Sequence, residues 1–107
     1  MEVKLINNNI VKTYEINMDV THEELDDKGY FFIPSTDKII VMNETSYFLW
    51  QVVIEFSKSE AELTLDELVK RTRQKFDSSN ITTEALKNDI LQAIYHFENE
   101  DFIRSVS

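Results

Sequence analysis

Two short apolar runs that favour β-structure stand close together in the first half of the chain, and three segments with helical periodicity follow them. Residues 30–33 form the first run, which Pro34 closes, and after a short polar link the chain returns as Lys38–Met42. Aromatic and β-branched runs joined by a few turn-forming residues are typical of a β-hairpin. Both runs are apolar on both faces, so a helical layer must cover one face and the other must be covered or used.

Three helices are predicted after this hairpin. The first begins after Asn43, a good N-cap, and covers residues 45–56. The second opens with a capping box, in which Thr64 and Glu67 would satisfy each other's backbone amides. The third begins near Thr82 and carries an apolar stripe at helical spacing, formed by Leu86, Ile90, Ala93, Ile94 and Phe97.

The N-terminal 28 residues are predicted to be an extension of the domain formed by residues 29–107. Residues 2–6 and 10–16 flank three asparagines, which tolerate the positive φ of a tight turn, and this pattern predicts a hairpin. Residues 19–28 carry five acidic side chains and few apolar ones, which favours a solvated loop or a short helix. Strands followed by helices predict a single globular α+β domain. It is winged-helix-like, with about three N-terminal antiparallel strands before a three-helix bundle.

Composition excludes several classes of protein. A chain of 107 residues has the length of one domain. The absence of cysteine excludes disulfides, thiolate metal sites and iron–sulfur clusters. One glycine and one proline cannot supply a phosphate-cradling loop. No apolar run is long enough to span a membrane, and the N-terminus lacks the blocks of a signal peptide. We therefore expect a cytoplasmic protein that needs no metal or cofactor.

The ionisable residues provide no evidence for an enzyme. The neighbouring carboxylates Asp26 and Asp27, and the pair Glu98 and Glu100, lie in polar stretches where burial would not separate their pKa values. His96 follows Tyr95 in a helical stretch without a nucleophile beside it, as expected of a histidine on the surface or at the edge of the core. We expect a non-catalytic protein.

A basic cluster at residues 70–75 raises the alternative of a winged-helix regulator that binds DNA. Lys70, Arg71, Arg73 and Lys75 lie within six helical residues, so they point around the axis and do not form one basic face. The net charge of −9 disfavours contact with phosphates, and the third helix is itself acidic. A solvated helix face is the simpler interpretation.

Several short motifs occur in an order that resembles a known family. They are Asn43-Glu44-Thr45 leading into a helix with Trp50, then Leu63-Thr64-Leu65-Asp66-Glu67-Leu68, Phe76-Asp77, Asp89-Ile90 and the closing Phe102-Ile103. In this order and spacing, residues 29–103 resemble the PqqD-like family, the recognition element for precursors of ribosomally synthesised, modified peptides. The sequence departs from the family at two turns, where residues 56–59 replace an Asp-Gly and Asp101 replaces a glycine.

The resemblance implies a binding module that captures the leader segment of a precursor peptide and presents the peptide to a modifying enzyme. In this family the leader adds a strand to the edge of the sheet, beside the last helix. The implied peptide-binding residues are Lys38, Ile39, Ile40, Val41 and Met42 on the strand, and Asp89, Ile90, Ala93, Ile94 and Phe97 on the helix. Asp89 and Ala93 stand toward the edge of the apolar stripe, so they are better placed to reach a ligand than Ile90 or Ile94.

The resemblance also implies the partners. Stand-alone members of the family accompany radical S-adenosylmethionine enzymes, or leader peptidases that mature lasso peptides. The Asn43-Glu44-Thr45 opening is more similar to the first group. The acidic balance predicts a cationic surface on the leader or on the enzyme. A strand this apolar at a sheet edge could also pair with its own copy, which would give a homodimer. Another alternative is a subunit that only scaffolds an enzyme and has no peptide groove.

Overall fold

The structure is a computed structural model that describes residues 1–106. Five strands come first, three helices follow, and two three-residue strands lie within the helical half. The elements in chain order are β1 Glu2–Asn7, β2 Ile10–Ile16, β3 Thr21–Leu25, β4 Lys28–Ile33, β5 Lys38–Met42, α1 Glu44–Ser59, β6 Glu62–Thr64, α2 Leu65–Lys75, α3 Thr83–Asn99 and β7 Ile103–Ser105. The predicted α+β class, with antiparallel strands before three helices, is confirmed, although five strands precede α1 where about three were expected.

The strands form two separate sheets. One has the order β6-β1-β2-β7, and the other has the order β3-β4-β5. β1 and β2 are antiparallel, β6 runs parallel to β1, and β7 runs antiparallel to β2. The three-stranded sheet is antiparallel throughout. The short strands β6 and β7 therefore connect the helical half to the N-terminal hairpin.

Residues 1–28 contain one confirmed prediction and one wrong one. The β1–β2 hairpin is present, and Asn8 at its turn has a φ of 57°. The acidic stretch, expected as a loop or short helix, instead contains β3, which pairs with β4 over its whole length. Asp26 and Asp27 have φ values of 52° and 63°, the left-handed conformations that a two-residue hairpin turn requires. Every residue of β3 is exposed, so pairing with β4 holds this strand rather than burial of its own side chains.

The helix N-termini lie where their capping residues predicted. Asn43 accepts a hydrogen bond from the Ser46 amide at 2.9 Å, and Thr64 accepts one from the Glu67 amide at 3.0 Å. The Glu67 carboxylate, however, accepts a hydrogen bond from Arg71 one turn later instead of completing the capping box. α1 extends to Ser59, one turn beyond its predicted end, and stops where Glu60 adopts a φ of 58°.

A single apolar core lies between the two sheets and the helices. Trp50 stands at its centre, with its ring in edge-to-face contact with Phe31 and Phe97 at centroid distances of 5.6 and 5.5 Å. Phe102, which follows α3, is fully buried and stacks on Phe31 at 4.9 Å. The core also includes Val3 and its neighbours on β1 and β2, so the N-terminal strands belong to the same packed unit.

The one glycine of the chain allows α1 to lie close to β4. A Cβ atom added to Gly29 would stand 2.4 Å from the Cδ1 atom of Tyr47 on α1. The Tyr47 hydroxyl also lies 3.0 Å from Nδ1 of His22 on β3. Burial raises the pKa of this phenol, and the nearby Glu24 carboxylate adds to the effect. Tyr47 on α1 therefore contacts both β3 and β4, and these contacts identify the side of the three-stranded sheet that faces the helices.

Candidate functional site

β5 lies at the edge of the three-stranded sheet. Its residues pair with β4 in a continuous antiparallel register, from Lys38 opposite Ile33 to Met42 opposite Gly29. Within the described residues no strand pairs with its other side. An edge strand presents unpaired backbone amides and carbonyls, which can hydrogen-bond an added strand. The strand predicted at residues 38–42 is thus present with the same bounds, and its position allows strand addition.

The side chains of β5 alternate between the two faces of the sheet. Met42 is buried and Ile40 is half-buried against the core. Ile39 and Val41 point the other way and are 72% and 53% exposed. Alternation of this kind follows from the period of two in any strand. A strand added beside β5 would continue both rows, so its inward side chains would meet Ile40 and its outward ones would meet Ile39 and Val41.

The five candidate residues on α3 do not share one environment. Ile90, Ile94 and Phe97 are 1%, 5% and 0% exposed, so their side chains belong to the core and support the helix from behind. Ala93 is half-buried and Asp89 is exposed. Of these five, Asp89 and Ala93 are therefore the ones that present accessible side-chain surface.

An ion pair identifies the side of α3 that faces β5. Nζ of Lys38, the first residue of β5, lies 3.8 Å from Oε2 of Glu100, which caps the C-terminus of α3. Glu100 shares a helical face with Asp89, Ala93 and His96, because spacings of four, three and four residues return to the same side of a helix. We call the space between this face and β5 the β5–α3 groove.

The other side of α3 faces different elements. Lys87 approaches Asp66 at the start of α2, with a distance of 3.4 Å between Nζ and Oδ1. Glu98 lies close enough to Tyr14 on β2 to add to the rise in the pKa of that phenol, which burial dominates. Lys87 and Glu98 thus lie on the side of α3 that faces α2 and β2, whereas Asp89 and Ala93 lie on the opposite side, the side of Glu100.

His96 and Glu100 were missed as groove residues in the sequence. The sequence predicts His96 on the surface or at the edge of the core and Glu100 in an acidic segment that follows the helix. In the structure His96 is exposed and Glu100 is half-buried. The signal that could have found them is the spacing from Asp89, since positions seven and eleven residues later recur on the same helical side. A stripe with only one apolar member, Ala93, does not stand out in a search for hydrophobic periodicity.

The helix wall of the groove is acidic. Asp89, His96 and Glu100 are its ionisable residues, and Lys38 is the one cation that an ion pair brings to it from β5. In the described part of the chain Asp89 makes no ion pair. An exposed carboxylate beside a strand edge can contact a cationic side chain of a ligand, at a modest gain because solvent screens the pair.

Internal contacts occupy half of the basic cluster on α2. Arg71 hydrogen-bonds Glu67 and Glu55, and these hydrogen bonds raise the pKa of its guanidinium further. Arg73 donates to the carbonyls of Ser78 and Ile81, each at 2.9 Å, and so holds the α2–α3 loop. Two of the four cations thus stabilise the fold, which agrees with the interpretation of the cluster as a helix face rather than a phosphate-binding surface.

Residues 1–106 contain neither a candidate metal site nor a candidate membrane-spanning helix. No group of three or more histidine or acidic side chains there is arranged to hold a metal ion. None of the three helices, over the range the structure covers, is long and apolar enough to cross a membrane.

Comparison with known proteins adds one structural likeness. No protein-family model matches the sequence, and no curated protein sequence matches it significantly. Among solved structures, the chain is similar to TbiB1 in its complex with the TbiA(beta) leader peptide, with a TM-score of 0.66 and 11% sequence identity. The likeness covers 87% of this chain and 98% of the TbiB1 chain. The protein therefore has the fold of TbiB1.

Proposed function

We propose that this protein is a non-catalytic binding module that captures the leader segment of a ribosomally synthesised precursor peptide. The leader adds a strand to β5 and lies in the β5–α3 groove, and the module presents the peptide to a modifying enzyme in the cytoplasm. The observation that carries the proposal is the unpaired edge of β5 beside α3. It is supported by a fold shared with TbiB1, whose solved structure contains a leader peptide.

The geometry of β5 specifies the pattern of the leader. Backbone hydrogen bonds to β5 provide affinity that does not depend on the leader's side chains, and alternate side chains provide specificity. Inward side chains of the leader enter the groove between Ile40 and Ala93, where the surroundings are apolar and half-buried. Outward side chains lie beside Ile39 and Val41. We therefore expect a leader with small or apolar residues at alternate positions over about five residues.

Charge on the groove sets the register of the leader. Lys38 occupies one end of the groove and is already paired with Glu100, whereas Asp89, farther toward the start of α3, has no cation beside it in the described residues. A lysine or arginine of the leader placed against Asp89 would be favoured over an acidic residue there. The same residue would be disfavoured one strand position away, where its side chain would point to the other face.

The modifying enzyme in this proposal is a radical S-adenosylmethionine enzyme. The chain has no cysteine, so any iron–sulfur cluster and the chemistry it supplies belong to the partner. The alternative is a leader peptidase of lasso-peptide maturation. The two are distinguished by adding each purified enzyme with its precursor and asking whether this protein accelerates modification of the core or cleavage of the leader.

The first test is a fluorescence anisotropy titration with the labelled N-terminal half of any short peptide encoded beside this gene, and labelled duplex DNA in parallel. We expect saturable micromolar or tighter peptide binding that tolerates moderate salt. Leader variants N-methylated at single positions should lose binding with a period of two, because only alternate amides of an added strand face β5. Salt-sensitive DNA binding without peptide binding would instead support a winged-helix regulator.

Asp89→Lys tests the groove by reversing one charge on its wall. We expect leader binding to weaken about two- to fivefold, the scale of an exposed charge pair, with unchanged thermal stability. Glu84→Lys is the matched control, because it makes the same change on α3 but lies on the far side of the helix from the groove. Equal affinities for the two variants would remove Asp89 from the site.

A homodimer formed by pairing of two β5 strands is the competing use of the same edge. Sedimentation equilibrium of the protein alone, and then with saturating leader, distinguishes the two. If saturating leader binds and converts a dimer to monomers, the leader and the second copy compete for the β5 edge. If the protein stays dimeric and does not bind the leader, the proposal is contradicted.

A further inference from the structure

The outer face of the three-stranded sheet, which points away from the helices, is apolar and uncovered. Strand pairing places Tyr30 beside Val41 and Phe32 beside Ile39 on this face, and Leu25 extends the row onto β3. Ile39, Leu25 and Val41 are 72%, 60% and 53% exposed. Tyr30 and Phe32 on the central strand are half-buried by their neighbours. The face includes a shallow concavity of about 500 Å³, lined in part by Leu25, Tyr30, Phe32 and Ile39.

The solvent side of an antiparallel sheet is ordinarily polar. The outer face of the four-stranded sheet is mostly polar, with Lys4 beside Thr13 and Glu15 beside Arg104. Its apolar pair is Ile6 with Val11, next to the β1–β2 turn. The three-stranded sheet departs from it although the same core buries the inner faces of both sheets. Apolar side chains grouped on an exposed face and rimmed by polar residues are a common feature of interaction sites.

The charges around the face select the kind of partner. Glu23 stands on the face, Asp26 and Asp27 form the adjoining β3–β4 turn, and Asp37 lies in the β4–β5 turn. All four are exposed, and Lys28 and Lys38 leave the rim acidic. A second copy of this chain would bring the same acidic rim against it, whereas a basic rim on another protein would be attracted.

The size of the face also counts against a stable dimer. Three strands about 4.8 Å apart and about five residues of 3.3 Å each span roughly 250 Å² of sheet. A standard stable interface buries about 800 Å² on each partner. A face this small is suited to a transient contact that charge steers into place.

We propose that this outer face docks a protein whose contact patch is apolar at its centre and bordered by lysine and arginine. In the proposed function, on which this identification of the partner rests, that protein is the peptide-modifying enzyme. The leader's inward side chains would occupy the groove on the opposite side of the sheet. The enzyme could therefore dock on the outer face while the leader stays bound.

The experiment measures binding of the purified radical S-adenosylmethionine enzyme of the proposed function by surface plasmon resonance, with leader affinity measured on the same preparations. Thr21→Lys places a cation on the outer face beside Phe32, and Thr13→Lys makes the same substitution on the outer face of the four-stranded sheet. We expect Thr21→Lys to weaken enzyme binding about tenfold, Thr13→Lys to change it less than twofold, and both variants to bind the leader as the parent does.

A second pair of variants separates the apolar contact of the docking face from the attraction between opposite charges at its rim. Leu25→Lys and Leu25→Glu both remove the apolar side chain at an exposed position, but only lysine opposes a basic rim. We expect Leu25→Lys to weaken binding more than Leu25→Glu, and added salt to reduce the difference. Far-UV circular dichroism and the Tm establish that each variant is folded.

Three results would overturn the docking proposal. They are no enzyme binding by a protein that binds its leader, equal loss in Thr21→Lys and Thr13→Lys, and a self-dimer that Thr21→Lys disperses. Enzyme binding that depends on Thr21 in a protein without leader affinity would uphold the docking face and overturn the proposed function.

Discussion

The four-stranded and three-stranded sheets both present apolar side chains to the same core, yet their outer faces differ. Val3 and Tyr14 on one sheet, and Phe31 and Ile33 on the other, are all nearly inaccessible. On the solvent side, the four-stranded sheet has mainly charged and hydroxyl side chains, with one apolar pair, Ile6 and Val11, next to its turn. On the three-stranded sheet, β4 and β5 present an isoleucine, a valine and two aromatic rings side by side. Burial of the inner face stabilises each sheet. Stability alone therefore does not account for the apolar side chains on the outer face of the three-stranded sheet.

The difference extends to the sheet edges. In the four-stranded sheet the outer positions are occupied by β6 and β7, short strands contributed by the helical half of the chain. In the three-stranded sheet no strand of residues 1–106 pairs with the outer side of β5, and β3 is exposed along its whole length. One sheet is thus integrated into the fold at both edges, while the other keeps an apolar edge and an apolar face available. Both proposed contacts involve this second sheet.

The largest expected change in stability comes from alanine substitution of two neighbouring phenylalanines on β4, one on each face of the three-stranded sheet. Phe31→Ala removes a fully buried ring that contacts Trp50 and Phe102, and should lower the free energy of unfolding by about 3–5 kcal/mol. Phe32→Ala removes the same ring from the outer face and should cost less than about 1.5 kcal/mol, because Phe32 is only half-buried. Urea unfolding at neutral pH measures both, and equal losses would mean that the outer face is covered in solution.

A smaller loss is expected when β4 is forced away from α1. Gly29→Ala places a methyl group 2.4 Å from Tyr47, so the sheet or the ring must move. Overpacking of this kind costs about 1–3 kcal/mol and should lower the Tm measured by circular dichroism. Adding Tyr47→Leu should make Gly29→Ala less costly than it is in the parent. A strictly additive double variant would contradict the contact.

The smallest expected change in stability concerns an ion pair beside the four-stranded sheet and is measured through its pH dependence. A hydrogen bond from Arg104 on β7 lowers the pKa of the Asp101 carboxyl below its ordinary value. A lowered folded-state pKa stabilises the protein above the unfolded pKa, and this stabilisation disappears as pH falls through the folded value. Because both groups are exposed, the effect is small.

Arg104→Gln should therefore reduce stability slightly at pH 7 and leave it unchanged near pH 2. Urea unfolding of parent and variant at the two pH values provides the measurement. A difference between the two proteins that is larger at pH 2 than at pH 7 would show that this ion pair does not act as described.

Much of the fold was predictable because its signals are local. The helix starts follow from side chains that hydrogen-bond amides three residues later, and the β5 strand follows from an uninterrupted apolar run. β3 could not be predicted, since Thr-His-Glu-Glu-Leu has neither an apolar run nor a buried face, and only pairing with β4 makes it a strand. Its hairpin turn depends on two aspartates in left-handed conformations, which composition alone does not indicate.

The candidate site likewise has features that local sequence patterns predict and features that only the tertiary structure determines. The sequence by itself determined that residues 38–42 form an apolar strand and that α3 carries a buried stripe, because strand and helix periods depend on neighbouring residues alone. Only the tertiary structure decided that β5 lies at an edge, that Asp89 and Ala93 keep accessible surface on the helical side of Glu100, and that Phe97 is buried. Those facts depend on how α3 is rotated and where the second sheet ends. Contacts between residues distant in sequence, such as Lys38 with Glu100, set that rotation and position.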